Sequence, residues 1–308
     1  MEKDSKIFII GHEGLPAKNL VDYLKKNGFE NIIIKLPQEL MSQTNAEKIL
    51  KEEKPDYIFL FSVKEGGILA NIKYPADLIY FNLQVQKNII HYSYKFGVKK
   101  LLFLGSSCMY PKFCKQPMKE EYLLTGLIEP TNEFYAIAKI AGIKMCQAYN
   151  IQYKTNFISA VPANVYGPYD DFNLETSHVI PALIRKFHNA KINKEDKVII
   201  WGTGSPRREF IYISDLIDAC IFLMDKYNNS DIINIGTGKE VSIKELANLI
   251  KNIVGYEGKI IFDKSKPDGM PRKILDSSKI NSIGWKSKVN LEEGIKKTYD
   301  WYLSENYG

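Results

Sequence analysis

The sequence predicts an α/β protein built on a doubly wound parallel sheet, with a smaller α/β domain interleaved towards the C-terminus. The first half alternates short β-branched apolar runs with segments of helical periodicity, which is typical of strand–helix–strand units with right-handed crossovers. A glycine-containing turn follows the first apolar run. The run at 100–104 ends in small residues, at the edge where open α/β sheets place ligands.

Taken in order, the elements predicted in the first half are strands at residues 7–10, 32–34, 57–61, 100–104 and 156–161, separated by helices at 17–27, 45–52, 78–96 and 133–150. The later part is more mixed, with helices at 179–190, 214–226 and 243–254 and strands at 197–201 and 231–235. Glycine and proline in 162–168, 202–206 and 267–271 indicate loops that face a site. We expect one domain over 1–166 plus about 211–240, and a second over about 167–210 plus 241–308.

Composition excludes several classes of protein. The 308 residues are 45% hydrophobic and 25% charged, as expected for an ordinary globular chain. The net charge of +6 comes from scattered lysines rather than charged blocks, which argues against a nucleic-acid or membrane-surface role. The first apolar run is too short for a signal peptide, and no run approaches the roughly 18 residues of a membrane span. We expect a cytoplasmic protein.

Cysteine and histidine usage points away from disulfides and metals. The four cysteines include no C-x-x-C pair, and the four histidines form no H-x-x-x-H pattern. Reduced thiols and a site without a metal are therefore expected.

The turn after the first strand is a candidate dinucleotide loop. Gly11, Gly14 and Ala17 form a G-x-x-G-x-x-A pattern that opens a helix, where backbone amides can approach a pyrophosphate. Pro16 is tolerated in the first helical turn, although it removes one N–H that could have met a phosphate. Alone, this pattern fits an ordinary strand–helix turn equally well.

Four further residues predict carbonyl and hydroxyl redox chemistry. Ser106 and Cys108 follow the strand at 100–104, and Tyr135 and Lys139 lie four apart on one helical face. A lysine beside a phenol favours the ionised form, so the tyrosine can exchange a proton with a substrate oxygen near neutral pH. A Y-x-x-x-K spacing by itself is common on helices, usually as a solvated Lys beside a half-buried Tyr.

Longer motifs identify a family. The chain resembles the extended short-chain dehydrogenase/reductases, which have a Rossmann-type sheet, and among them the GDP-L-fucose synthase family, which epimerises and reduces a GDP-4-keto-6-deoxy-hexose. The matching motifs cover nearly the whole length and lie at residues 66–77, 102–112, 129–144, 177–188, 201–210 and 265–273.

The resemblance implies two sets of catalytic roles. Cys108 and His178 would act as the acid and base of epimerisation, since thiol and imidazole exchange protons near neutral pH. Tyr135 would protonate the C4 oxygen during hydride transfer, Lys139 would bind the nicotinamide ribose, and Ser106 would hold the keto oxygen. Taken alone, Cys108 and His178 fit a small buried thiol and a structural histidine.

The resemblance also implies the binding residues. Cofactor contacts are expected from Gly11, Glu13, Gly14, Leu15, Pro16, Lys35, Ser62, Val63, Tyr135, Lys139, Pro162, Val165 and His178. GDP-sugar contacts are expected from Ser106, Ser107, Asn164, Val179, Leu183, Lys186, Trp201, Arg208 and Lys273.

The family uses NADPH, but this chain departs from its pattern at the 2′-phosphate. Glu13 and Pro37 stand where arginines are expected, which leaves Lys35 as the remaining cation. A carboxylate repels a phosphate but accepts hydrogen bonds from a ribose diol, so NADH is an alternative.

The substrate class is open to a second hypothesis. The substrate could be a GDP-4-keto-6-deoxy-heptose of capsule or lipopolysaccharide synthesis, reduced without epimerisation. A non-catalytic sugar-nucleotide-binding scaffold is a remote third possibility.

The resemblance also extends to the assembly of the protein. Helices 78–96 and 133–150 resemble those that related enzymes pair into a four-helix bundle, which predicts a homodimer.

Overall fold

A computed structural model of the chain describes residues 1–11, 14–61, 64–266 and 268–305. In these ranges the strands are β1 (Ile7–Ile10), β2 (Ile32–Ile34), β3 (Tyr57–Leu60), β4 (Lys100–Leu104), β5 (Phe157–Pro162), β6 (Asn164–Tyr166), β7 (Lys197–Trp201), β8 (Arg207–Tyr212), β9 (Ile233–Ile235), β10 (Glu240–Ser242), β11 (Lys259–Asp263) and β12 (Arg272–Lys273). The α-helices are α1 (Leu15–Lys26), α2 (Pro37–Met41), α3 (Gln43–Glu53), α4 (Ile68–Lys73), α5 (Pro75–Lys95), α6 (Glu133–Tyr153), α7 (Val179–Ile192), α8 (Ile213–Lys226), α9 (Ile243–Val254), α10 (Ser278–Ser282) and α11 (Leu291–Ser304).

The central sheet is a six-stranded, fully parallel sheet with the order β2-β1-β3-β4-β5-β9. The chain moves outward from β1 to β2 and then returns to β3, so the direction of the crossovers reverses beside β1. Such a reversal places α1 on the opposite face from α5 and α6, which leaves a crevice at the carboxyl ends of the strands. This is the doubly wound, Rossmann-type sheet that the sequence predicts.

Except for the edge strand β2, the strands of this sheet are buried on both faces. Every residue of β1, β3 and β4 is buried, as expected when helices cover both sides of a parallel sheet. Lys100 is buried with them because its ammonium donates to the carbonyl oxygens of Leu223 and Met224, at 3.0 and 2.7 Å, and so satisfies the last carbonyls of α8.

The remaining strands form a second, smaller group that does not pair with the central sheet in the described residues. In this group β8 pairs with β10 antiparallel and with β12 and β6 parallel, while β7 and β11 form a separate parallel pair. Helices α7, α9 and α11 pack beside them. Because β8 spans residues 207–212, it crosses the domain boundary expected near residue 210, and the division into two domains stays a prediction.

The predicted loop at 162–168 is wrong in part. The strand β5 continues to Pro162, and residues 164–166 form β6, which pairs with residues 210–212 of β8. Glycine and proline marked the bend correctly, but the pairing depends on a partner more than 40 residues away in the chain, which local composition does not indicate. None of the helices in the described ranges has the length and apolarity that crossing a bilayer requires.

Candidate active site

A cleft of about 580 Å³ lies at the carboxyl edge of the central sheet. It runs from Leu15 and Pro16, at the start of α1, past the end of β4, to Trp201 and Arg208 in the smaller group of strands. One continuous cleft therefore joins the nucleotide-binding edge of a Rossmann-type sheet to a second set of cationic and aromatic side chains, as a two-substrate enzyme requires.

Ser106 and Cys108 come directly after β4, where the chain turns into one short 3₁₀ helix over Ser107–Met109. Ser106 begins this turn, and its Oγ accepts a hydrogen bond from the Cys108 amide at 3.5 Å. The Cys108 thiol donates to the same Oγ at 3.1 Å. Because Ser106 Oγ accepts from the thiol, its own proton is available for an acceptor in the cleft.

Tyr135 and Lys139 lie one turn apart near the start of α6, and both are buried. The Lys139 ammonium donates to the carbonyl oxygen of Leu104 at 2.8 Å and lies 5.9 Å from the centre of the Tyr135 ring. Burial lowers the pKa of Lys139 to about 8, against an opposing effect of the Glu65 carboxylate. The helical face predicted from the Y-x-x-x-K spacing thus places the lysine beside the tyrosine ring, at the end of β4.

Gly142 allows α6 to approach the sheet closely enough for this arrangement. A Cβ at position 142 would lie 2.3 Å from the Phe103 ring, a distance that real Cβ atoms do not adopt. Phe103 is itself buried in β4, at 1% exposure, so its neighbours restrict any movement of the ring away from α6. The position of the helix, and hence of Tyr135 and Lys139, depends on this glycine.

His178 immediately precedes α7, and its side chain is open to the cleft. The surrounding walls nevertheless desolvate the imidazolium and lower its pKa, while the negative charge of Glu65 opposes this shift. Burial raises the pKa of the Cys108 thiol, with partial compensation from the charges of Lys273 and Lys139. The cleft therefore holds a protonated thiol and a neutral imidazole near neutral pH, one able to donate a proton and the other to accept one.

The turn that leads into the Leu15 end of the cleft has the backbone geometry of a dinucleotide site. Gly11 has φ +98°, a conformation that favours glycine, and its carbonyl accepts a hydrogen bond from Gly14 N at 2.9 Å. Gly14 then begins α1 without a side-chain cap, so amides of the first turn can meet an anion. These residues fit a nicotinamide dinucleotide. Glu13, Ser62 and Val63, predicted to contact it, lie outside the described residues.

Lys35 and Pro37, which the sequence places near the 2′-phosphate of the cofactor, have surroundings that do not favour phosphate binding. Lys35 Nζ is 3.9 Å from Glu53 Oε1, so its charge is shared with a carboxylate. Glu53 also pairs with Lys6, at 3.1 Å. Pro37 begins α2 and is buried, and it has no side-chain donor.

The far end of the cleft combines cations with an indole. Burial lowers the pKa of Arg208 to about 10 and that of Lys273 to about 8. Lys186 donates to the carbonyl oxygen of Ile199 at 3.1 Å, which turns its ammonium towards β7. The Trp201 side chain lines the cleft and is 45% exposed, and Lys266 Nζ lies 5.5 Å from the centre of its ring.

Most of the predicted site residues meet in this cleft. Its walls include Leu15, Pro16, Ser106, Ser107, Cys108, Tyr135, Pro162, Asn164, Val165, His178, Val179, Leu183, Lys186, Trp201, Arg208 and Lys273. Lys139 lies beneath the wall, and Gly11, Gly14 and Lys35 are not part of it.

Sequence reasoning missed several polar residues that also line the cleft, among them Glu65, Glu129, Asn132, Asp170 and Asp268. Asp268 belongs to the motif at 265–273, which could have indicated it. Glu129 and Asn132 belong to the motif at 129–144, which could likewise have indicated them, whereas Glu65 and Asp170 needed the fold to be recognised.

Comparison with known proteins agrees with this geometry. Residues 7–236 match the model of the NAD dependent epimerase/dehydratase family. GDP-L-fucose synthase 1 of Arabidopsis thaliana is 55% identical over 98% of this chain and 94% of its own.

Two solved structures from Campylobacter jejuni are also similar. A GDP-6-OMe-4-keto-L-xylo-heptose reductase is 43% identical, with a TM-score of 0.95 over 99% of both chains. A GDP-mannoheptose C4 reductase with NADP bound is 46% identical, with a TM-score of 0.89 over 98% of this chain and 99% of that one. The chain belongs to the NAD dependent epimerase/dehydratase family, and within it to the group of GDP-L-fucose synthases and related GDP-sugar reductases.

Proposed function

We propose that this chain reduces the C4 ketone of a GDP-4-keto-6-deoxy-hexose with a nicotinamide cofactor, after epimerising C3 and C5. The observation that carries the proposal is the shared cleft. Ser106, Cys108, Tyr135 and His178 line it together, with Lys139 directly beneath. Relatives named GDP-L-fucose synthase, similar over nearly the whole chain, support the same activity.

Reduction uses Tyr135, Lys139 and Ser106. The cofactor supplies a hydride when bound. Tyr135 donates its phenolic proton to the oxygen of the C4 ketone as negative charge develops there, and the Lys139 ammonium stabilises the resulting phenolate. Ser106 donates a second hydrogen bond to that oxygen, because its own acceptor capacity is used by the Cys108 thiol.

Epimerisation uses Cys108 and His178. The ketone acidifies the neighbouring C–H bonds, so a base can remove a proton from one face of the ring and an acid can return one to the other face. In the free protein the imidazole is the acceptor and the thiol is the donor. Epimerisation precedes reduction, since reduction removes the ketone that makes those protons acidic.

The far end of the cleft, which Trp201, Arg208 and Lys273 line, would bind the nucleotide part of the substrate. The planar fork of Arg208 suits a diphosphate, because it can donate two parallel hydrogen bonds, and the Lys273 ammonium adds a second positive charge. The half-exposed indole of Trp201, which lines the same end of the cleft, suits a guanine ring. Together these three side chains favour a GDP-sugar over a free sugar.

A heptose substrate is the second candidate. Two similar solved structures are named as reductases of GDP-heptoses, one of them with NADP bound. In that case Tyr135, Lys139 and Ser106 would act as above, and the Cys108–His178 pair would be idle.

We propose NADPH as the cofactor, used with weak preference over NADH. The related reductase with NADP bound supports NADPH. The pairing of Lys35 with Glu53 and the lack of a donor at Pro37 weaken the attraction for a 2′-phosphate.

We also propose a homodimer formed through α5 and α6. The two helices pack side by side, and their outward faces expose apolar side chains, among them Tyr80 at 54%, Phe134 at 46% and Ile137 at 39%. Light scattering should give twice the chain mass, and Ile137→Asp should give a monomer. A wild-type monomer would contradict the dimer. The cytoplasmic location stays a prediction.

The activity is tested by mixing the protein with NADPH and GDP-4-keto-6-deoxymannose and following the absorbance of the reduced nicotinamide. We expect the absorbance to fall, and to stay constant with GDP-mannose, which has no ketone. Cofactor binding without oxidation in the presence of either the hexose or the heptose ketone would contradict the proposal. Failure to bind either NADPH or NADH at millimolar concentration would favour a non-catalytic, sugar-nucleotide-binding scaffold.

A further inference from the structure

The segment between β6 and α7 brings a carboxyl group with one unpaired oxygen into the wall of the cleft. Asp170 lies in this segment and lines the cleft. Its Oδ1 accepts a hydrogen bond from the Asp171 amide at 2.9 Å. Its Oδ2 is buried and has no hydrogen-bond partner among the described residues. Because an unpaired buried polar atom is costly, this oxygen calls for a partner that the chain itself does not supply, and a ligand in the cleft is within reach.

One side chain joins this segment to the start of α1. Asn19 Nδ2 donates to the carbonyl oxygen of Leu15, the first residue of α1, and to that of Pro168, both at 2.9 Å. Asp170 follows Pro168 by two positions and shares the cleft wall with Leu15. The carboxyl group therefore lies on the side of the cleft where the first amides of α1 are free to meet the pyrophosphate of a dinucleotide.

Tyr169 holds the segment in a shape that its sequence does not favour. Its φ is +69°, in the left-handed region that bulky side chains rarely adopt, so surrounding contacts must maintain it. Two of these contacts come from α1: the Tyr169 hydroxyl donates to Asp22 Oδ2 at 3.0 Å, and Lys18 Nζ lies 5.5 Å from the centre of the ring. The position of the neighbouring Asp170 is thus fixed relative to α1 without a ligand.

The surroundings of Asp170 oppose its ionisation. Burial raises the pKa of Asp170 well above its ordinary value, and the negative charges of Glu65 and Asp171 add to this effect, while the hydrogen bond from the Asp171 amide opposes it. His178, at the start of α7, adds no fixed positive charge near neutral pH, because burial lowers the pKa of its imidazole. Below its raised pKa the Asp170 carboxyl is neutral, and its proton is available to an acceptor in the cleft.

We propose that Asp170 binds the cofactor as a neutral carboxylic acid, in which Oδ2 donates its proton in a hydrogen bond to an oxygen of the pyrophosphate. The proton stays on Oδ2, and no covalent bond changes. A neutral donor suits this position, because an ionised carboxylate would repel the two negative charges of the pyrophosphate. Cofactor affinity is therefore linked to the protonation of one residue that takes no part in the reaction. The inference rests on the proposed function, because it takes a nicotinamide dinucleotide as the ligand.

The test is titration of NADH into the full-length protein and Asp170→Asn over a series of pH values, followed by nicotinamide fluorescence. NADH is chosen because the 2′-phosphate of NADPH titrates near pH ~6 itself. Asparagine keeps a neutral donor at every pH, and Lys139 and His178 titrate in both proteins, so the ratio of the two Kd values isolates Asp170. We expect a wild-type to Asp170→Asn ratio near one at low pH, rising about tenfold once the carboxyl ionises. Asp170→Ala, which has no donor, should bind about tenfold more weakly than wild type at low pH.

Three further measurements sharpen the test. ADP-ribose, which keeps the pyrophosphate but lacks nicotinamide, should give the same ratio by calorimetry. Glu65→Gln should move the rise of the wild-type profile to lower pH, because it removes a negative charge that disfavours ionisation of Asp170. Asp22→Asn is the matched control: it removes one carboxylate where the segment meets α1 but outside this cleft, and its amide oxygen still accepts from the Tyr169 hydroxyl. Its Kd should follow that of wild type at every pH.

A Kd ratio that stays at one across the pH series would overturn the inference alone and leave the proposed function standing, as would a ratio that changes for NADH but not for ADP-ribose. Asp170→Asn that binds both ligands more weakly than wild type at every pH would assign the carboxyl a role in holding the segment, and so also overturn the inference. A wild-type protein that binds neither NADH nor ADP-ribose would overturn the proposed function and this inference together.

Discussion

Lys139 donates a hydrogen bond from Nζ to the carbonyl oxygen of Leu104 at 2.8 Å, which ties helix α6 to the end of β4. An ammonium has three donors, so two remain for other acceptors. The residue that follows Leu104 by two positions is Ser106. This one buried lysine therefore sets the position of Tyr135 relative to Ser106, the two side chains that are proposed to donate to the C4 oxygen.

Tyr135→Phe should abolish reduction but leave epimerisation. The ring and its packing stay, whereas the proton donor to the C4 oxygen is lost, so kcat for cofactor oxidation should fall by about 10²–10⁴. Deuterium should still enter beside the ketone in heavy water, as measured by mass spectrometry of the substrate. An unchanged kcat would remove Tyr135 from the mechanism.

Lys139→Met should lose activity and gain stability. The pKa of Lys139 is lowered from 10.5 to about 8 in the folded protein, so the unfolded chain binds the extra proton between these values. Burial of the charge thus costs up to about 3 kcal/mol of unfolding free energy below pH 8, a cost that declines as the pH rises towards 10.5.

Denaturant unfolding of wild type and Lys139→Met at pH 7 and pH 10 measures this difference. The variant should be the more stable at pH 7, with a smaller advantage at pH 10. In the wild type, kcat/KM for the cofactor should fall as the pH rises through about 8, where Lys139 loses its charge. A variant less stable than wild type at pH 7 would contradict this expectation.

The fold was predictable from the sequence where a single segment carried the signal. The buried runs at 7–10 and 100–104 indicated the sheet, and the long helical pattern from 133 indicated α6, because both faces of a parallel strand and one face of a helix must be apolar. The strands β6, β8, β10, β11 and β12 were missed, since each pairs with a partner far along the chain, and β6, β10 and β12 have only two or three residues.

The site was predictable to a similar extent. Ser106, Cys108, Tyr135, Lys139 and His178 were found because recognisable motifs contain them. Glu65 and Asp170 were missed, since their place in the cleft follows from how two loops fold onto it. The pairing of Lys35 with Glu53 was also invisible, because α3 brings the carboxylate to the lysine from 18 positions further along the chain.

Gly142→Ala should impair catalysis without touching the substrate. The added methyl would meet the Phe103 ring at 2.3 Å and push α6 away from β4, at a cost of about 1–3 kcal/mol in unfolding free energy. A displacement of that kind moves Tyr135, so kcat should fall by about tenfold or more. Adding Phe103→Leu should restore part of the activity, and a double variant no better than Gly142→Ala would contradict the steric explanation.

Glu53→Gln should improve NADPH binding. Removing the carboxylate charge releases Lys35 for the 2′-phosphate, and we expect the Kd of NADPH to fall by roughly two- to fivefold at low salt, since both side chains are partly exposed. The Kd of NADH, which has no 2′-phosphate, should stay the same. Nicotinamide fluorescence measures both constants, and an equal change for the two cofactors would remove Lys35 from the 2′-phosphate site.

The central claim is that one cleft carries out both inversion and reduction. Incubating the wild-type protein and Cys108→Ser with GDP-4-keto-6-deoxymannose and NADPH in heavy water, followed by mass spectrometry and NMR of the product, tests it most directly. We expect the wild type to give the C3- and C5-inverted, C4-reduced product with deuterium at both inverted carbons, and Cys108→Ser, which lacks the acid that returns the proton to the other face, to give a C4-reduced product without inversion. A reduced wild-type product without deuterium at C3 or C5 would contradict the claim and leave a C4 reductase.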